Sequence, residues 1–215
     1  AFAPFQELGA EVRACPTMSS RFFKLKSLFF PASYRAIFGG DADVSCFLNY
    51  YMPRRFAGKS LVVVYDMVAR AFPKTMDLKT RVLLKLTLKS SLRRADRIVT
   101  ISEFSKSEIV KYYGTDPDKI SVLPMGVDCS VFKPEDDGEK LRRAKERCGI
   151  EGEYFMYLGT LEPRKNIESL VGAYAVLTKE LKPAPKLVIA GKKGWLYEDI
   201  FRMVERLGLT RQVIF

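Results

Sequence analysis

The chain has 215 residues, 47% of them hydrophobic and 12% aromatic, which is enough apolar surface for a core and too much for a disordered chain. It has no histidine, which excludes the usual Ser-His-Asp triad and any imidazole acid or base, and its four cysteines (Cys15, Cys46, Cys129, Cys148) form no CxxC pair, so no metal site is expected. The formal net charge of +11, from 36 Lys and Arg against 25 Asp and Glu, favours an anionic partner: a nucleotide phosphate, nucleic acid or an anionic membrane surface.

The opening AFAPFQELGAEVRAC reads as the tail of a helix, a turn at Gly9 and a strand into Cys15. The other end, GLTRQVIF, stops on an apolar strand-like run. Both ends read as cut through secondary structure, as expected of an internal piece of a longer protein. Residues 21–38, RFFKLKSLFFPASYRAIF, set phenylalanine and leucine among cations. A basic amphipathic helix on a membrane would suit this stretch, but Pro31 interrupts it, and packing within the N-terminal domain is the preferred reading. No apolar run of about 18 residues and no signal-peptide pattern occurs, so the expected location is cytoplasmic, with peripheral contact at the inner face of the membrane as an option.

From residue 60 onward strands and helices alternate. SLVVVYD (60–66) is a continuous β-branched run, the mark of a strand covered on both faces. A helix is predicted over 78–95, a strand over 96–102, a helix over 105–114 opened by a Ser-x-x-Glu box and closed by Gly114, and a strand with a tight turn over 119–128. Residues 133–153 are almost wholly charged and read as a linker with a short solvated helix. The pattern then restarts: strand 154–160, helix 166–181, strand 186–191, helix 196–207 and strand 212–215. Such alternation predicts parallel sheets with helices on both faces. The expected organisation is a partial domain over 1–132, a charged linker over 133–150, and the first part of a second domain over 151–215.

Ligands of doubly wound sheets sit at the carboxyl ends of the strands. Two such ends in the second unit are basic. In GTLEPRKN, Gly159 lets backbone approach a ligand and Pro163 restrains the loop, while Arg164 and Lys165 precede a helix whose dipole favours anions. In AGKKGW, Gly191 is followed by Lys192 and Lys193. Four cations on adjacent strand ends would suit a diphosphate; on spacing alone, solvated surface charges explain them as well. The first unit offers Asp66 at the end of its β-branched strand, Ser102 and Glu103 after the next, and Gly126 after the third as cleft-lining candidates. An acid at a strand end is more often a helix cap than a catalytic group, and Ser102-Glu103 could cap the following helix.

The stretches RADRIVTISEFSKSEIVKYYGTDPDKISVLPMGVD, YFMYLGTLEPRKNIESLVGAY and KLVIAGKKGW, in that order, closely resemble family 4 nucleotide-sugar glycosyltransferases, nearest the bacterial mannosyltransferase-like branch that builds surface polysaccharides. The resemblance covers about residues 60–215; residues 1–59 match loosely. It implies the GT-B fold of two Rossmann-like units, both incomplete in this chain. It also implies retaining transfer of a sugar from a nucleoside-diphosphate donor to a hydroxyl of a glycan or lipid-linked acceptor, with no required metal or other cofactor. The donor diphosphate would rest on Gly159, Thr160, Arg164 and Lys165, with Gly191, Lys192 and Lys193 beside it. Thr160 stands where some members carry an arginine, so Arg164 would supply the second charge. Tyr65-Asp66-Met67 stands where relatives often read His-Asp-Leu; Tyr65 can donate a hydrogen bond but cannot imitate an imidazole, and Tyr65 and Asp66 are the catalytic candidates. The Glu-x7-Glu motif of the family falls past Phe215, so the chain alone is expected to be inactive. The competing readings are a homologue that kept an anion or nucleotide site without catalysis, and, ranked last, a basic nucleic-acid binder. No nucleic-acid-binding motif accompanies the charge, so nucleic acid is not expected as a partner.

Overall fold

Short β-branched and aromatic runs form the strands of this computed structural model, which describes residues 42–54, 56 and 58–215 together with Glu7 and Gly9. Glu7 is helical and Gly9 takes a left-handed φ of 83°. The remaining expectations for 1–15 and that for 21–38 lie outside the described residues. The chain divides into two compact units between Gly126 and Val127, with Lys74–Asp77 grouped with the second.

In the first unit β1 (Val44–Phe47), β2 (Lys59–Val63), β3 (Arg97–Thr100) and β4 (Ile120–Val122) form one sheet in that order. Every pair is parallel, with Cys46 opposite Leu61, Val62 opposite Ile98 and Val99 opposite Ser121. The helices are α1 (Val68–Ala71), α2 (Leu78–Arg94) and α3 (Glu103–Tyr113). Parallel neighbours need a crossover, and α2 supplies the one from β2 to β3. It buries Leu88 and Leu92, which join Val62, Val64, Ile98 and Ile109 in the core. Asp96, at the foot of β3, accepts from the Ser60 amide at 2.9 Å and from its hydroxyl at 2.7 Å, locking β2 to the α2–β3 turn.

The second unit carries β5 (Tyr154–Leu158), β6 (Lys186–Ala190) and β7 (Val213–Ile214), again all parallel and in that order. Its helices are α4 (Gly138–Arg147), α5 (Ile167–Glu180) and α6 (Glu198–Arg206). Ile167 and Val171 of α5 and Ile200 and Val204 of α6 pack with Leu187 and Ile189 of β6. The charged stretch contains α4, which buries no residue. Asp137 caps it, and Arg142 and Arg143 pair with Glu139 on its surface.

The α/β class with parallel sheets is the class expected. Element bounds shift by a residue or two at several starts, and one shift has a visible cause. Helix α3 begins at Glu103, ahead of the predicted Ser105, because Ser102 is its N-cap and accepts from the Ser105 amide at 3.1 Å. Ser105 and Glu108 form no capping box: the Ser105 hydroxyl donates to the Tyr65 carbonyl at 3.0 Å, and Glu108 pairs with Lys111 at 2.9 Å. At the other end Gly114 adopts φ 62°, the left-handed turn that closes a helix. Among the described residues no helix is long and apolar enough to cross a membrane, and no group of three or more His, Cys, Asp or Glu could hold a metal ion.

Candidate functional site

Strands β5 and β6 stay joined beyond their last paired residues, Leu158 and Ala190. The Gly159 amide donates to Ala190 O at 2.9 Å, the Leu161 amide to Lys192 O at 3.0 Å, and the Gly194 amide to Leu161 O at 3.0 Å. A further parallel bridge links Leu161 to Lys193. This close approach requires glycine. Gly191 has φ 155°, and a Cβ there would lie 1.9 Å from the Gly159 carbonyl oxygen. A Cβ on Gly194 would lie 2.6 Å from Leu161 O. The two loops are thus one backbone-bonded ledge at the carboxyl end of the sheet, and the half-buried Thr160 lies against Gly194.

The four cations of the ledge are not equivalent. Arg164 and Lys165 sit on a short 3-10 turn, Pro163–Lys165. The Arg164 guanidinium lies 2.6 Å from a Glu162 carboxylate oxygen, and the Glu162 side chain is only 15% exposed. The Lys193 ammonium lies over the rings of Tyr197 and Phe201, 5.1 and 5.3 Å from their centroids, a cation–π arrangement. Lys165 and Lys192 are exposed and form no ion pair among the described residues. The expected set of four free charges is therefore two free and two held. Asn166, at a left-handed φ of 52°, turns the chain into α5, but its side chain accepts from the Ser169 hydroxyl at 2.8 Å and does not cap the helix. The first turn of α5 thus keeps its positive end without a side-chain cap, beside Lys165. Beneath the loop, the Tyr157 hydroxyl is buried without a hydrogen-bond partner. Burial, reinforced by the Glu162 carboxylate, raises its pKa, and Arg164 opposes the shift.

In the first unit Tyr65 and Asp66 follow β2. The Tyr65 hydroxyl donates to Leu48 O at 2.9 Å, so its donor is spent on backbone. Its ring meets that of Tyr50 edge-on at 5.8 Å. Asp66 accepts from the Val68 amide at 3.1 Å at the entry to α1. Tyr50 holds a left-handed φ of 55°, uncommon for a side chain of this size, and its amide donates to Val63 O at 3.0 Å. Burial first, and then the Asp66 carboxylate, raise the pKa of Tyr50 far above the ordinary phenol range. Ser102 caps α3, Glu103 is exposed in its first turn, and Gly126 is exposed with no atom near the place a Cβ would take.

Two family descriptions match the chain, Glycosyltransferase Family 4 over residues 2–131 and Glycosyl transferases group 1 over residues 139–215. The chain belongs to glycosyltransferase family 4. Among its relatives, O-antigen chain mannosyltransferase B of Escherichia coli is 32% identical over 160 residues, 74% of this chain and 41% of that protein. D-inositol 3-phosphate glycosyltransferase of Segniliparus rotundus is 30% identical over 122 residues, 55% of this chain and 26% of that one. The chain thus spans less than half the length of either. Among solved structures WaaG, a glycosyltransferase involved in lipopolysaccharide biosynthesis, superposes with a TM-score of 0.63 at 16% identity, covering 95% of this chain and 58% of WaaG. Anabaena HepE in complex with UDP-glucose gives 0.57 at 18%, covering 74% of this chain and 41% of that chain. These likenesses carry the GT-B fold.

Three residues of this family 4 chain were not singled out from sequence. Glu162 was visible as an acid in a basic loop, two positions before the arginine it holds. Tyr157 lies within an apolar strand run, and Tyr50 in a segment with no periodic signal; only the folded chain brings either to its neighbours.

Proposed function

We propose that this protein is a retaining glycosyltransferase that moves a sugar, mannose being the leading candidate, from a nucleoside-diphosphate donor to a hydroxyl of a glycan or lipid-linked acceptor. The observation that carries the proposal is the glycine-dependent ledge of β5 and β6, with Lys165 and Lys192 unpaired on it beside the uncapped start of α5. In this reading the bond from the anomeric carbon to the diphosphate breaks and one to the acceptor oxygen forms. Negative charge then collects on the departing diphosphate. Fixed cations and helix amides aimed at that charge lower the barrier without reorganising. They take the part that a metal ion plays in other transferases, so no metal is required. Arg164, anchored by Glu162, retains guanidinium N–H groups to offer a phosphate oxygen. Asp66 is the candidate for orienting the acceptor hydroxyl.

Titration calorimetry with GDP-mannose, GDP and UDP, in chelator, tests the donor site. Binding that survives chelation and falls with Lys165→Ala supports it; binding unchanged by Lys165→Ala removes the ledge as the diphosphate site. Release of nucleoside diphosphate from a panel of donors and acceptors tests transfer. One observation favours the second reading, a nucleotide-binding homologue without transfer: the Tyr65 hydroxyl is tied to Leu48 O, leaving no free donor where relatives often read histidine. Nucleotide binding with no turnover on any donor would decide for it.

A further inference from the structure

Glu162 is an acid set among the cations of the β5–β6 ledge, where its charge works against any anion. Its side chain is only 15% exposed, and burying a carboxylate is costly unless a partner compensates it. The partner is Arg164, 2.6 Å away and 36% exposed. A largely buried ion pair gains little stability over apolar side chains of the same size, so stability does not account for this one. Orientation does: the pair fixes where the guanidinium points.

The backbone holds Glu162 on both sides. Leu161 is buried, donates its amide to Lys192 O at 3.0 Å and accepts from the Gly194 amide at 3.0 Å. Pro163 follows, its φ locked by the ring, and the Glu162 carbonyl accepts from the Lys165 amide at 3.0 Å. The Glu162 Cβ lies against Gly194, 3.3 Å from the place a side chain there would take. The carboxylate is near enough to the buried Tyr157 hydroxyl to raise its pKa, and Tyr157 Oη and Glu162 Oε1 are both buried without an aligned hydrogen bond. The contact with Arg164 is therefore an ion pair that spends no guanidinium N–H on Oε1. Because the pair is neutral as a whole, Arg164 adds little field over the ledge. What it offers is a rigid fork of N–H groups, held in one orientation and effective at short range.

The geometry points to Glu162 as a positioning residue that acts through Arg164, holding the guanidinium fork toward the diphosphate with Tyr157 as the wall behind it. This role rests on the reading of the ledge as the diphosphate site. It carries a consequence of unusual sign: taking a negative charge out of a site for an anion weakens the binding of that anion.

Titration calorimetry of the whole chain with GDP tests this. Glu162→Gln keeps the shape of the side chain and removes its charge, and the Kd for GDP is expected to rise about tenfold, where charge alone would lower it. Arg164→Lys keeps the charge and loses the fork, and should weaken binding by a similar factor. In an Arg164→Ala background Glu162→Gln should change the Kd by no more than about twofold, because no guanidinium is left to position. A merely structural role would weaken binding in both backgrounds. Equal or tighter GDP binding by Glu162→Gln overturns the positioning role, as does a loss that persists without Arg164. Lys165→Ala separates this outcome from the reading beneath it. If Lys165→Ala weakens binding and Glu162→Gln does not, the ledge stands and the role of Glu162 falls; if neither alters binding, both fall. Circular dichroism confirms that each variant is folded. Should Glu162→Gln fail to fold, Arg164→Lys decides alone, and undiminished GDP binding by it overturns the proposal.

Discussion

Replacing Gly191 with alanine probes whether the β5–β6 ledge is a built structure. The added Cβ would lie 1.9 Å from Gly159 O, where real contacts essentially never fall under 3.0 Å. The strand ends must therefore separate by about 1 Å, since neither atom belongs to a side chain that can rotate away. The three amide bonds that join the loops measure 2.9, 3.0 and 3.0 Å and would stretch past bonding distance. At roughly 1 kcal/mol net for each bond, the loss is about 3 kcal/mol, with a further penalty for an alanine at positive φ. The only tryptophan of the chain, Trp195, follows Gly194 directly, so its fluorescence reports on this loop. Urea unfolding followed by that signal should show the midpoint moving well below that of the parent, and GDP affinity should fall with it because Lys192 rides on the same loop. Gly126→Ala, where no atom lies near the added methyl, is the matched control and should leave both unchanged. A Gly191→Ala curve within about 0.5 kcal/mol of the parent would refute the claim that the loops depend on this contact.

Lys165→Ala should weaken nucleoside-diphosphate binding about tenfold in calorimetry while leaving the urea midpoint in place, since its side chain is exposed and forms no ion pair among the described residues. Tyr65→Phe should cost about 1 kcal/mol by urea unfolding through loss of the bond to Leu48 O, and it should leave donor binding unaltered. Asp96→Asn should destabilise the first unit at neutral pH. The Ser60 hydroxyl, then its amide, hold the Asp96 carboxyl below the usual carboxylate range. Its contribution is thus present above the unfolded-state pKa of about 4 and is lost as pH falls through the lower folded value. Thermal melts of parent and variant should therefore converge in acid; a gap that stays constant with pH would refute that assignment.

What sequence could reveal here followed from local chemistry. The alternation of β-branched runs with helical stretches fixes a parallel α/β chain because each run can be buried only in the middle of a layered sheet. The start of α3 was misplaced because two serines three positions apart both suit a cap, and tertiary structure decides between them: Ser105 is drawn to the Tyr65 carbonyl, which leaves Ser102 to the helix. At the ledge the glycines were legible as sites of close approach, but not what approaches. Gly191 meets a carbonyl from the neighbouring strand end, a contact that depends on β5–β6 register. Tyr50 carried no signal because its left-handed backbone and its nearness to Asp66 exist only once β1 and β2 are paired.

The charge of +11 shows why a count of cations says little about partners. Many are used inside the fold. Arg94 donates to Met52 O and Pro53 O at 2.8 and 2.7 Å, Lys119 to Arg93 O at 3.0 Å, and Lys186 to Arg211 O at 2.6 Å. Arg164 and Lys193 are held by a carboxylate and by aromatic rings. A cation that already satisfies a carbonyl or a carboxylate must break that contact before it can serve a ligand, so its field is largely cancelled where a ligand would arrive. Lys165 and Lys192, on the β5–β6 ledge, have neither kind of partner among the described residues. They adjoin helix amides and polar backbone, a setting that suits a diphosphate in water.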